Sequence, residues 1–365
     1  MEKPYPPLYY SDYLRLDRLL DSQHRKSEEY GQPAHDELLF IIVHQAYELW
    51  FKQILFEVDS VITLLSAERV EERHIGTCVS RLRRVTEIQK LLIDQLRILE
   101  TMTPLDFLEF RDYLFPASGF QSIQFRMLEN RLGLKSEARL RYNNAAYHSR
   151  VSAEHRAQLI AVEAQRTLFD AIESWLERTP FLESESFRFW ESYRAAVRDM
   201  LARDRRVIES NPTLGEEEIT QQLRELDATA DHFAAVLDGE RHASMRAEGT
   251  WRLSHRATLA ALFISLYRDQ PILAMPYRLI EALVDIDEMM TTWRYRHALM
   301  VHRMIGTKIG TGGSSGYQYL KSTAETHRVF ADLTSLSTFL IPRGELPELP
   351  DALRARLGFV HGSPR

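Results

Sequence analysis

Apolar residues recur at three- and four-residue steps along most of the chain. Leu49, Phe51, Ile54, Leu55, Val58, Val61, Ile62 and Leu65 are one example, and they line one side of a 3.6-residue helix. Sustained apolar–polar alternation, the mark of half-buried strands, is absent. The fourteen prolines leave long uninterrupted reaches at 34–103, 117–179, 181–211, 213–270 and 277–341. These reaches are rich in Leu, Glu, Arg, Ala and Gln, which are good helix formers. The pattern predicts an all-α protein of roughly ten helices.

Three segments stand out. Asp36–Ser66 reads as one helix of about 45 Å at 1.5 Å per residue. Its first half is apolar nearly all round and so belongs in the middle of the molecule. The segments 105–115 and 279–306 read as two further helices. From about 130 to 250 the chain is charged and polar, as in GEEEITQQLRELDATADHF. No Gly/Ser/Pro linker bounds that region, so it is expected to be a helical elaboration on a single domain spanning 1–365. There is no internal repeat. The most apolar run, 38-LLFIIVHQAY-47, has charged neighbours at both ends. It is far short of the about 20 residues a spanning helix needs, and a soluble protein is expected.

Composition narrows the function classes. The 365 residues carry a net charge of -6, which argues against nucleic-acid binding as the main task, since that needs a basic face. One cysteine, Cys78, excludes an internal disulfide and any cysteine-built zinc or iron–sulfur site within one chain. The start, MEKPYPPLYYSDY, lacks a basic region followed by an apolar run, and the cytoplasm is the expected compartment.

Candidate chemistry lies in three places. On the first helix His44 shares a face with Phe40, Ile41, Tyr47 and Glu48. A lone histidine there is more often a satisfied core residue than a functional one, and Glu48 could satisfy it locally. In 104-PLDFLEFRDYLFPASGF-120, Arg111 has no carboxylate three or four residues away. It either snorkels to solvent or grips an anion from elsewhere with its planar fork. In 297-HALMVHRMIGTKIGTGGSSG-316, His297 and His302 are five residues apart, about 140° around a helix, and cannot chelate one metal together. A single histidine suits haem iron, whose equatorial ligands come from the porphyrin, but spacing alone favours a structural role for both histidines. The glycine-rich loop fits neither phosphate pattern. Lys308 precedes the glycines instead of closing them, and Ser315 stands where a dinucleotide fingerprint needs its third glycine.

Three long stretches together resemble the tryptophan 2,3-dioxygenase family. They are HDELLFIIVHQAYELWFKQILFEVDSV, LETMTPLDFLEFRDYLFPASGFQSIQFRMLEN and WRYRHALMVHRMIGTKIGTGGSSGYQYLKST, the last followed by VFADLTSLSTFLIPR. The likeness runs from about Tyr9 to Arg343 and is weakest across the charged middle. The resemblance implies haem b as cofactor, one per subunit and ferrous for turnover, with His297 as its proximal iron ligand and His302 outside the iron's first shell. It implies that His44 sits near the indole nitrogen, with Phe40 and Phe107 in the pocket wall and Arg111 on the substrate carboxylate. Ser118 and Gly119 fall in the turn over the oxygen side of the haem. Thr311 comes against the amino-acid end of the substrate, carried by a loop whose glycines permit close backbone approach. Tyr10, Tyr13 and Leu14 match a set that reaches into the neighbouring subunit's pocket, which implies a homotetramer with exchanged N-terminal segments. Ser11 departs from the glycine usual at that position and leaves the local turn in doubt.

The implied reaction inserts both atoms of O2 into L-tryptophan to give N-formyl-L-kynurenine. His44 is expected to orient the indole N–H, which is too weak an acid for neutral imidazole to deprotonate. A related haem-dependent monooxygenation of indoles and a non-catalytic haem or tryptophan sensor are the alternatives.

Overall fold

The computed structural model describes residues 5–140, 148, 151–180, 189–308 and 316–358. Every regular element among them is helical. The principal helices are α1 (Tyr10–Leu14), α2 (Glu37–Leu65), α3 (Glu72–Leu99), α4 (Pro104–Arg111), α5 (Ile123–Leu132), α6 (Leu168–Glu177), α7 (Phe189–Glu209), α8 (Glu216–Leu237), α9 (Gly239–Ala247), α10 (His255–Leu266), α11 (Pro271–Ile305) and α12 (Gly316–Thr326).

The long helices α2, α3 and α11 form the frame. α3 packs most extensively on α11 and on α2, α12 lies along α11, and α5 lies against α2. Their shared core is Ile54, Val58, Val61 and Leu65 from α2, Leu82, Val85 and Leu96 from α3, and Leu279, Leu283 and Ile286 from α11, all essentially solvent-free. Burying each such side chain stabilises the fold by about 1.5–3 kcal/mol before conformational entropy is counted. Phe189, Tyr193 and Val197 of α7, and Phe233, Val236 and Leu237 of α8, join the same apolar cluster from the polar middle of the chain. No helix among the described residues is long and apolar enough to cross a membrane.

Local chemistry sets the helix ends that matter for the site. Thr103 opens α4 by accepting the Asp106 N–H, and the Asp106 carboxylate accepts the Thr103 N–H at 2.8 Å, with Pro104 in the first turn. That reciprocal pair satisfies two donors that a helix start leaves open. Ser122 caps α5 by accepting the Phe125 N–H at 3.2 Å. Gly133 ends α5 at φ 116°, and a Cβ there would lie 2.7 Å from the Phe169 Cβ, so no other residue fits without a shift. Glu37, buried at the start of α2, accepts the N–H groups of Lys26 (2.7 Å) and Ser27 (2.9 Å) and ties the N-terminal segment to the frame.

The first helix matches its predicted extent to within one residue at each end. Two others differ. α11 begins at Pro271 and runs through the buried Pro276, eight residues ahead of the expected start. Pro276 is only the sixth helical residue, where its missing N–H forfeits a single backbone bond. α4 ends at Arg111 and tightens into a 3-10 turn over Asp112–Leu114 instead of continuing to 115. The described residues also hold seventeen α-helical segments rather than roughly ten. Several are single turns, too short for periodicity to reveal.

Candidate active site

A cavity of about 280 Å³ opens between α2, α4, α5, α11 and α12. α2 contributes Phe40, His44, Tyr47, Glu48 and Phe51, which three- and four-residue spacings place on one side of the helix. Phe107 and Arg111 face the cavity from α4, and Ser118 and Gly119 from the turn that follows. α11 supplies Trp293, Arg294, His297 and Met300.

His297 and His44 sense each other across this space. Burial pushes the His297 imidazole down to about 4, and the charge His44 would carry lowers it further. His297 is therefore neutral at pH 7. Its Nδ1 is buried without a hydrogen-bond partner. The Trp293 indole lies parallel to the His297 ring, centroids 5.1 Å apart and 8° between planes. His302, one and a half turns on, is exposed and packs against Tyr317 at 4.6 Å. It does not line the cavity.

His44 pairs through Nδ1 with the Phe40 carbonyl at 2.7 Å. Burial lowers its pKa, against the opposing effects of that carbonyl and of Glu48. Glu48 is not the local partner the sequence suggested. Its carboxylate accepts from the Ser122 hydroxyl (2.6 Å) and the Gln124 amide (2.9 Å), fixing α5 to α2 beneath the site. Phe40 stacks beside His44 at 4.1 Å and approaches Phe107 at 5.8 Å. The Arg111 side chain is 21% exposed and lies 3.9 Å from the Asp112 carboxylate, which is 93% exposed. A contact that long and solvated is a weak one. Ser118 caps the 3-10 turn at 119–121 by accepting the Phe120 N–H at 3.4 Å, which holds this turn against the cavity.

Tyr10, Tyr13 and Leu14 sit on α1 and do not reach this chain's cavity. The two tyrosines are more than 70% exposed, an unusual state for three apolar side chains on one helical turn. Thr311 lies outside the described residues. Sequence reasoning missed Trp293, Arg126, Glu129 and Arg294, all of which line the cavity. Arg294 stands one turn before His297, the spacing that could have flagged it.

No group of three or more His, Cys, Asp or Glu among the described residues could hold a metal ion. A metal taken up on His297 must bring its other ligands with it, as iron does in a porphyrin. The chemistry of the site fits such a group: an aromatic and aliphatic lining, one neutral imidazole, and buried guanidiniums along one wall.

The chain matches the family described as tryptophan 2,3-dioxygenase over residues 5–340. It is 53% identical to tryptophan 2,3-dioxygenase of Bdellovibrio bacteriovorus over 97% of this chain and 99% of the relative. It is 49% identical to that of Alteromonas mediterranea over 98% of this chain and 99% of the relative. Similarity extends to vertebrates, with 47% identity to tryptophan 2,3-dioxygenase B of Danio rerio over 94% of this chain and 84% of the relative.

Proposed function

The chain belongs to the tryptophan 2,3-dioxygenase family, and from that membership we propose that it oxidises L-tryptophan with O2 to N-formyl-L-kynurenine, using haem b held on His297. The observation that carries this reading is the pair His297 and His44 sharing one aromatic-walled cavity with Arg111.

His297 would hold the haem through Nε2, its low pKa keeping the lone pair free of a proton. When bound, the haem supplies the oxygen chemistry, the addition of both oxygen atoms across the indole C2–C3 bond. The chain's own residues then bind and orient. Arg111 grips the substrate carboxylate with two parallel hydrogen bonds. Phe40 and Phe107, tilted against each other at 5.8 Å, form an aromatic wall for the indole. His44, fixed through Nδ1 by the Phe40 carbonyl, must donate there, so its Nε2 is an acceptor. That acceptor suits an indole N–H and sets the rotation of the ring, and orientation of this kind supplies much of an enzyme's rate. His44 serves as an acceptor that positions the ring, since an indole N–H is too weak an acid to lose its proton to imidazole. Thr311 would meet the substrate ammonium.

The exposed α1 residues Tyr10, Tyr13 and Leu14 would complete a neighbouring subunit's pocket in a homotetramer. Their solvent exposure in the single chain supports that placement.

The test is turnover with 18O2 on the haem-loaded, reduced protein. N-formyl-L-kynurenine carrying two labelled atoms is expected. Haem uptake with a singly labelled product would replace dioxygenation by monooxygenation, and haem uptake with no product would leave a sensor.

A further inference from the structure

One carboxylate beneath the cavity is shared by three guanidiniums. Glu129 Oε2 accepts from Arg126 Nη1 (3.0 Å) and Arg139 Nη1 (2.5 Å), and Oε1 accepts from Arg294 Nη2 (2.9 Å). All four side chains are at least nine-tenths buried. The other charged or titratable neighbours are already committed. Asp287 accepts the N–H groups of Val329 and Phe330 at 2.9 Å each, and His327 Nε2 accepts the Leu140 N–H at 3.1 Å. Arg126 and Arg294 thus converge on one carboxylate in a low-dielectric place, where buried charge is costly unless it is well paired.

Arg126, Glu129 and Arg294 line the cavity itself. Arg126 gives Nη1 to Glu129, and its Nε is buried without an acceptor. That leaves the Nε–Nη2 edge, the one that takes a carboxylate with two parallel bonds. The guanidinium is held between Phe120 and Phe125, 5.8 and 5.9 Å from their ring centres, so its position is fixed without an ion pair on that edge. Phe125 in turn touches Trp293, which stacks on His297. Arg294 is one helical turn from His297 on α11.

We propose that Arg126 and Arg294 form a carboxylate subsite on the His297 wall, and that its occupant is a propionate of the haem. This inference rests on the haem reading above. The substrate carboxylate is the other candidate of the same chemistry, but Arg111 serves it from α4, beside the aromatic wall. Glu129 spaces the two guanidiniums.

The test titrates full-length haem-free protein with haem b and with haem dimethyl ester, whose propionates are neutral, following the absorbance of the bound porphyrin. The parent protein is expected to prefer haem b by about 30-fold, the scale of one charge-assisted pair. Arg126→Gln is expected to narrow that preference to within about threefold by weakening haem b alone. Equal binding of the two porphyrins by the parent overturns the subsite and leaves haem binding standing. A preference that survives unchanged in Arg126→Gln also overturns it. Failure to bind either porphyrin overturns the haem reading and this inference with it. Should Arg126→Gln not fold, the parent comparison decides, with L-tryptophan added to the titration. Competition between tryptophan and haem b for the site would assign the subsite to substrate instead.

Discussion

The Trp293 indole stacks in parallel on the His297 imidazole, 5.1 Å between centroids and 8° between planes. No hydrogen bond holds His297 Nδ1, so stacking is what fixes the plane in which this ring presents its other nitrogen. Two substitutions separate ligation from orientation. His297→Ala should abolish the spectrum of histidine-ligated haem, while His302→Ala, at an exposed ring on Tyr317, should leave it intact. Trp293→Leu should retain the histidine spectrum but weaken haem retention by about fivefold, the loss of a ring contact of about 1 kcal/mol. Absorbance and haem dissociation rates read both, and a normal spectrum in His297→Ala would move the ligand elsewhere.

Arg111 lines the cavity from α4, the helix that also supplies Phe107, whereas His297 stands on α11. Removal of Arg111 should therefore be felt by substrate and not by haem. Arg111→Ala is expected to lower kcat/KM for L-tryptophan by 2–5 kcal/mol, about 30-fold or more, with the haem spectrum unchanged. Tryptamine, which lacks the carboxylate, should be affected far less. Equal losses on both substrates would mean that Arg111 shapes the pocket and does not hold the carboxylate.

Buried histidines away from the cavity give the protein an acid limit. His242 is 1% exposed, and its Nε2 lies 3.2 Å from the Thr258 hydroxyl. That hydroxyl also accepts from the Trp251 indole at 2.9 Å. Burial pushes His242 down to about 4, helped by the nearby charges of His255 and Arg246. Between about 4 and the ordinary 6.5 the unfolded chain binds a proton that the folded chain refuses, so stability rises with pH across that window. Acidification from pH 7 to 4.5 should cost on the order of 2 kcal/mol from this group, and His255, also lowered, adds in the same direction. Urea unfolding of His242→Gln should show a shallower pH dependence than the parent. An identical slope would place the acid sensitivity elsewhere.

The frame of the fold was legible because it rests on local periodicity. Ile54, Val58, Val61 and Leu65 repeat at helical steps and are all buried, so α2 could be read almost to the residue. The early start of α11 was hidden by Pro276, whose cost depends on its distance from the helix end and not on its presence. Within the site, His44, Phe40, Phe107, Arg111 and His297 all line one cavity, and each stands within one of the three motif stretches of the sequence. The ionic floor was not legible. Arg294 meets Glu129 across 165 residues, and Glu48 meets Ser122 across 74, so neither pairing leaves a local signal. Arg126 and Glu129 alone read as an ordinary surface pair one turn apart.

That floor yields the last prediction. Burial alone would raise the pKa of Glu129, but Arg139 and Arg126, then His327 and Arg294, overcome it and hold the carboxyl well below the usual range. A depressed carboxylate stabilises the fold at every pH above its unfolded value, and that stability is lost as pH falls through the folded value. Glu129→Gln keeps the shape but removes the anion, leaving three buried guanidiniums to repel one another. Breaking a buried pair in this way costs about 3–5 kcal/mol, so the variant should unfold at markedly lower urea at pH 7. Haem b should recover more of the loss than haem dimethyl ester does, because only the free propionates bring charge back to Arg126 and Arg294. Full stability in the haem-free variant would mean that the guanidiniums find water or another acceptor. The excess charge would then be no reason for the cavity to seek an anion.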